Sequence, residues 1–208
     1  NGLISSPADP FPPTTTLANP GTTITLDNTL LTLPDRLGGS NRKLTVAGAQ
    51  INYLGTNAGK SNETFGPLTV ASGQSTFTVI AQPAKETNTS FASDPVIHNV
   101  GGTMLFRATN LGADYGPGVG TIISDNKNAG FVFIGSLGAL GTTSKGILPW
   151  ALADTNTSTG VGVSFATADT GFDLIRVLNP TTEMVTNVFT TGTNVLLSNA
   201  QSAGSPAG

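Results

Sequence analysis

The only histidine, His98, is the first residue to weigh for chemistry. A general base needs an orienting acid on one side and a nucleophile on the other. The one acid near it in sequence is Asp94. Its setting, Pro95-Val96-Ile97-His98-Asn99-Val100, reads as a β-strand, where a solvent-facing or hydrogen-bonded histidine needs no catalytic explanation. The carboxylates Asp114, Asp125, Asp154, Asp169, Asp173 and Glu183 are scattered, without a D-x-D or E-x-x-E pair. Acid–base cleavage of a polysaccharide would require Asp154, Asp169 and Asp173 to converge on one edge. Asp125-Asn126-Lys127-Asn128 with Asp114 offers oxygen ligands to calcium. It lacks the regular spacing of such loops and sets a lysine among the ligands, so a turn rich in asparagine is the simpler reading. Gly116-Pro117-Gly118-Val119-Gly120 is followed by neither Lys-Ser/Thr nor a helix, which makes it a sharp loop instead of a phosphate cradle. With no cysteine, thiolate metal sites, disulfides and cysteine nucleophiles drop out. One histidine leaves no multi-histidine centre. The residues therefore supply no catalytic, cofactor-binding or metal site, and a non-enzymatic protein is expected.

Other side chains point to surface modification and recognition. Asn62-Glu63-Thr64, Asn88-Thr89-Ser90 and Asn156-Thr157-Ser158 are N-glycosylation sequons, and Thr14, Thr15 and Thr16 among prolines form an O-glycosylation candidate. Trp150 and Tyr115, if exposed, would give a stacking platform for glycans; core packing explains them more economically.

The elements that must hold these residues are strands. Runs of apolar and β-branched residues recur at Thr23–Leu26, Leu44–Ala47, Ile51–Leu54, Leu68–Ala71, Thr76–Ala81 and Thr103–Ala108. They continue at 130–134, 161–167, 172–178 and 194–197, with Gly, Asn, Asp or Pro between almost every pair. Leu137–Leu152 is the most helix-tolerant stretch, but Gly138, Gly141, Gly146 and Pro149 argue against a helix. Leu44-Thr45-Val46-Ala47 returns 24 residues later as Leu68-Thr69-Val70-Ala71, and the echo aligns Gln50 with Gln74 and Tyr53 with Phe77. A period of 20–30 residues is the length of one solenoid coil. The fold class is all-β, a right-handed parallel β-helix, with a β-sandwich of pilin-like type as the alternative.

Composition agrees with stacked coils. Charged residues are 10% of the 208, against about 25% in an ordinary domain. The hydrophilic surface falls to 32 Thr, 16 Ser and 17 Asn. Like charges stacked at strand spacing repel, whereas Thr and Asn bond their own kind along a stack. A net charge of −3 argues against nucleic acid as a partner. No apolar run approaches the ~20 residues of a membrane span. Residues 1–22, with Pro7, Pro10, Pro12, Pro13 and Pro20, form an extended arm. Pro7, Pro10, Phe11, Pro12 and Pro13 are the candidates for contact with a neighbouring subunit. Residues 23–197 form the solenoid and 198–208 a small-residue linker. A start at Asn1 fits a mature secreted chain or a piece of a longer one.

Four segments resemble one family. Thr103-Met104-Leu105-Phe106-Arg107-Ala108-Thr109-Asn110-Leu111-Gly112 is similar to a recurrent LFRGTNLG segment of long secreted bacterial proteins that carry autotransporter-associated β-strand repeats. Gly146-Ile147-Leu148-Pro149-Trp150-Ala151-Leu152-Ala153-Asp154-Thr155 looks like their ILPxAxGDT element. Leu174-Ile175-Arg176-Val177-Leu178 with Thr182-Glu183-Met184 resembles GLRPLxxxEY, departing at Val177 and Met184. Asn62-Glu63-Thr64-Phe65-Gly66-Pro67-Leu68-Thr69-Val70 follows NTTETVGALTV in outline. The resemblance covers about residues 44–198. It implies a secreted right-handed β-helix of tandem modules, and no catalytic residue or cofactor.

The expected function is a structural subunit or repeat module of an extracellular or cell-surface fibre. It would assemble with itself head to tail through strand edges and terminal arms. A glycan-binding adhesin is the alternative and a β-helix polysaccharide hydrolase or lyase the third reading.

Overall fold

The computed structural model describes residues 15–91, 96–124, 131–135, 139–157, 162–169 and 174–198. Its coils are set by a column of glycines. Gly21, Gly48, Gly73 and Gly101 all take positive φ (76°, 69°, 63° and 85°), a backbone state that glycine enters without steric cost. Each turns the chain from one strand face to the next. The corners bond to one another: the Gly21 N–H donates to the Gly48 carbonyl at 3.0 Å, and the Gly73 N–H to the Gly101 carbonyl at 2.9 Å.

Three faces result. The first stacks β1 (Thr15–Ala18), β3 (Lys43–Ala47), the first part of β6 (Leu68–Ile80) and β8 (Ile97–His98) in parallel. The second stacks β2 (Thr23–Asp27), β4 (Gln50–Leu54), the rest of β6, β9 (Gly102–Ala108) and β11 (Ala151–Asp154), also in parallel. The third stacks β5 (Ser61–Phe65), β7 (Thr87–Phe91) and β10 (Gly120–Ser124). The chain is a β-solenoid of about three turns, and a β-sandwich is ruled out by these consecutive parallel registers.

Inward side chains make one continuous core. Ile24, Ile51, Phe77, Phe106 and Ala153 stack in register through the second face. Phe65, Phe77 and Phe91 meet between the second and third faces at ring separations of 5.2–5.6 Å. Such aromatic contacts add roughly 0.5–1.5 kcal/mol each to the burial itself.

The repeated tetrapeptide is one stacked rung: Leu44 lies on Leu68, Thr45 on Thr69 and Val46 on Val70. The longer echo is corrected. Gln50 lies on Thr76, Ile51 on Phe77 and Tyr53 on Val79, because the register slips at Ala47, which faces Ser72. The β6 corner holds two residues more than the β3–β4 corner.

The boundaries also shift. Among the described residues strand pairing already includes Thr15, so the solenoid reaches into the proline-rich segment. Ser164–Asp169 and Leu174–Val177 are the strands β12 and β13. Between Phe131 and Ile134 there is one bridge, Ile134 to Ile147, and no strand. The Leu137–Leu152 stretch contains no α-helix among its described residues.

The two ends of the solenoid differ. At the C-terminal end β12 runs antiparallel to β11, and β13 runs antiparallel to β12 and touches β10 at Ile123–Leu174. This hairpin carries the second face round into the third and closes both. A short parallel pair, β14 (Val185–Thr186) and β15 (Val195–Leu196), follows. At the N-terminal end β1 and β2 each pair on one side among the described residues, with β3 and β4.

Candidate functional site

His98 is held structurally. Its Nε2 donates to the Gly102 carbonyl at 2.8 Å, and its ring stacks on Trp150 with a centroid separation of 5.3 Å and an interplanar angle of 8°. Trp150 is buried and also meets Phe106 and Phe131. It is not an exposed glycan platform: the loop that leads into β11 lays it on His98 and against the rings of Phe106 and Phe131. Tyr115 is exposed.

Asp154 and Asp169 do not converge on one edge. Asp154 is fully buried and receives Arg107 Nε at 3.1 Å. Asp169 receives Arg176 Nε at 2.6 Å. Ala153 pairs with Ser164, so Asp169 lies five residues further along β12, about 17 Å away. Asp173 and the Asp125–Asn128 loop lie outside the described residues, and Asp114 is exposed. Among the described residues no three His, Cys, Asp or Glu side chains group to hold a metal.

The sequons split. Asn62 and Asn88 occupy neighbouring rungs of the third face, and Asn88 Nδ2 donates to Asn62 Oδ1 at 3.2 Å. Asn88 Oδ1 in turn accepts from Thr121 Oγ1 at 2.8 Å. This is the polar ladder expected from composition. Asn156 sits in the turn after β11, where its backbone N–H donates to Asp154 Oδ1. Thr15 and Thr16 lie in β1. Thr14, Pro7, Pro10, Phe11, Pro12 and Pro13 lie outside the described residues, as do residues 199–208.

A cluster that the residue patterns did not disclose holds the C-terminal cap. Arg176 makes a two-pronged contact with Glu183, Nη1 to Oε2 at 2.7 Å and Nη2 to Oε1 at 2.6 Å. The N–H groups of Gly141 and Asn179 also donate to Glu183. Burial pushes the Glu183 pKa up, but the Arg176 and backbone hydrogen bonds outweigh it and hold the carboxyl at about 2. Burial first, then the Arg176 charge, lowers the pKa of the nearby Lys145.

The open N-terminal end carries the most unusual environment. The loop from Asn28 to Arg42 closes over the edge of β5: the Thr64 N–H donates to Asp35 Oδ1 and the Leu37 N–H to Glu63 Oε1. Glu63 points inward and is buried, with Oε2 unpartnered. Beside it Asn28 Nδ2 donates to the Tyr53 hydroxyl at 3.0 Å. The Arg36 guanidinium bonds Asn28 Oδ1 and the Asp27 and Leu31 carbonyls instead of Glu63. Burial raises Glu63 to about 7, against the Arg36 and Leu37 N–H groups that favour its charged form. Tyr53 is raised too, by burial first and then by the Glu63 charge. Over this polar plug the loop displays Leu30 (96% exposed), Leu31 (62%) and Leu33 (42%). An apolar trio beside two strand edges that no described strand pairs is a surface suited to a partner.

Comparison of the chain with models of known families, with curated proteins and with solved structures gave no match.

Proposed function

We propose that the chain is a structural module of an extracellular or cell-surface fibre that joins copies head to tail. The observation that carries this reading is the difference between its ends. At the N-terminal end β1 and β2 are each paired on one side among the described residues, with Leu30, Leu31 and Leu33 beside them. At the other end the second and third faces are closed, while β8, the last described strand of the first face, pairs on one side among the described residues. Ile97 and Val100 are exposed there. Parallel addition of β1 from one copy to β8 of the next continues the first face in the sense its own coils already use. A contact between two unlike ends does not close on itself and propagates a filament. Low charge favours such stacking, since little repulsion opposes it. The resemblance to secreted bacterial proteins with β-strand repeats supports an extracellular setting.

Sedimentation velocity across a concentration series, with negative-stain microscopy, tests this. End-to-end particles that Leu30→Lys with Leu31→Lys disperses are expected. A protein that stays monomeric at every concentration, with the double variant indistinguishable from it, refutes the proposal.

A further inference from the structure

The outer surface of the second face is a groove unrelated to the ends. One outward row runs across six neighbouring strands in register: Thr23, Gln50, Thr76, Leu105, Leu152 and Phe165. With strands about 4.8 Å apart the row is about 24 Å long. Its character changes along its length. At the N-terminal side Gln50 and Thr76, with Asn52 and Thr78 one pair along, line a hollow of about 380 Å³. At the C-terminal side Leu105, Leu152 and Phe165 line a second hollow of about 210 Å³ beside Thr103 and Gln74. Phe165 is 45% exposed. The cation at the groove's margin, Arg107, is paired with Asp154.

We infer that this groove is a binding site for a neutral polysaccharide, with amide and hydroxyl side chains on successive rungs bonding sugar hydroxyls and Phe165 stacking on a sugar ring. Four features select that ligand. The lining donates and accepts hydrogen bonds but offers no uncompensated charge to a polyanion. Rung spacing is close to the length of one pyranose in a chain, so equivalent groups recur in step with the ligand. β4, β6, β9 and β11 are paired on both sides, so an extended peptide has no strand edge here to add to. The aromatic half supplies the apolar contact that a sugar's C–H face needs.

The test uses the full chain in native gels cast with a series of neutral glucans, mannans and galactans and with a polyuronate. Retardation by at least one neutral polysaccharide is expected, and it should persist from low to high salt because no ion pairs carry it. Gln50→Ala with Asn52→Ala should weaken binding about tenfold, the effect of losing one to two net hydrogen bonds. Phe165→Ala should weaken it similarly. Asn62→Ala, on the third face, should leave it unchanged. Circular dichroism of each variant checks the fold. No retardation by any neutral polysaccharide overturns the inference. So does binding that both groove variants keep in full, preference for the polyuronate with steep salt dependence, or capture of extended peptides in place of glycan. Filament formation does not enter these readouts, so the two proposals fail separately.

Discussion

Glu63→Gln is the substitution whose consequence the structure specifies most fully. Glu63 lies beneath the first coil, facing Tyr53 on β4 and Asp35 and Arg36 on the covering loop, and no cation among the described residues pairs with it directly. Its pKa moves from an ordinary 4.5 to about 7 on folding. A carboxyl that holds its proton more tightly when folded stabilises the protein fully below its unfolded pKa. That contribution declines as pH rises through the folded pKa. Between pH 4.5 and 7 the wild-type chain therefore loses stability. That difference corresponds to about 3 kcal/mol, each tenfold change in proton affinity being worth about 1.36 kcal/mol. In a domain of this size that is a fall in Tm of roughly 6–12 °C.

Glutamine keeps the shape and the Oε1 acceptor for the Leu37 N–H but has no proton to lose. Urea unfolding of both proteins at half-unit steps from pH 4.5 to 8 measures the difference. The curves should meet near pH 4.5 and diverge until the variant is the more stable above pH 7. A wild-type profile no steeper than the variant's would show that Glu63 is not ionising in the buried site described.

The other expectations concern packing. Glu183→Ala leaves Arg176 buried without its two-pronged partner and should cost about 3–5 kcal/mol. Because the Glu183 pKa is depressed to about 2, the wild-type cap should keep its contribution above pH 4.5 and lose it as pH falls towards 2, whereas the variant shows no such acid loss. Phe77→Ala removes the ring that meets both Phe65 and Phe91 and should cost about 3–5 kcal/mol in chemical denaturation. At Gly66 an added Cβ would lie 2.0 Å from the Arg42 carbonyl oxygen, so Gly66→Ala should yield little folded protein in an expression and solubility assay. Gly59→Ala, where a Cβ meets nothing within 4 Å, should fold normally.

The first two faces were legible because their inward residues are apolar. Leu44 and Val46 over Leu68 and Val70, and Ile51 beneath Phe77, give the alternation that marks a half-buried strand. The third face was not. Its inward positions include Ser61, Glu63, Thr87 and Thr89, so β5 and β7 read as polar segments between strands. Their stability comes from rungs above and below, which one strand's pattern does not display. The glycine corners were present at intervals of 27, 25 and 28 residues but hidden among 26 glycines. Trp150 was readable as aromatic surface or core; only the path of the preceding loop places it on His98. Phe165 is exposed on the outer side of β12, where the antiparallel strand ends the parallel stacking.

The scarcity of charge has a positional logic. In the regular coils a charged outward side chain would face its counterpart about 4.8 Å away on the next rung, so Asn62 stands over Asn88 and Thr45 over Thr69. Where stacking stops, that constraint lifts and charge returns in compensated form. Arg107 meets Asp154 where the last parallel strand joins the second face, and Arg176 meets Glu183 and Asp169 where the antiparallel cap begins. A buried ion pair contributes little net stability but is costly to break, which suits a cap that must form one geometry and exclude a further coil. Glu63 is the counterpart at the other end, a buried acid without an ion pair. One end of the solenoid is locked by charge and the other carries an acid whose charge is disfavoured, so raising the pH should loosen the first coil before the cap. Hydrogen exchange at pH 5 and pH 8 reads this directly: protection should fall over residues 23–37 and hold over 174–183, and a uniform change along the chain would contradict the assignment.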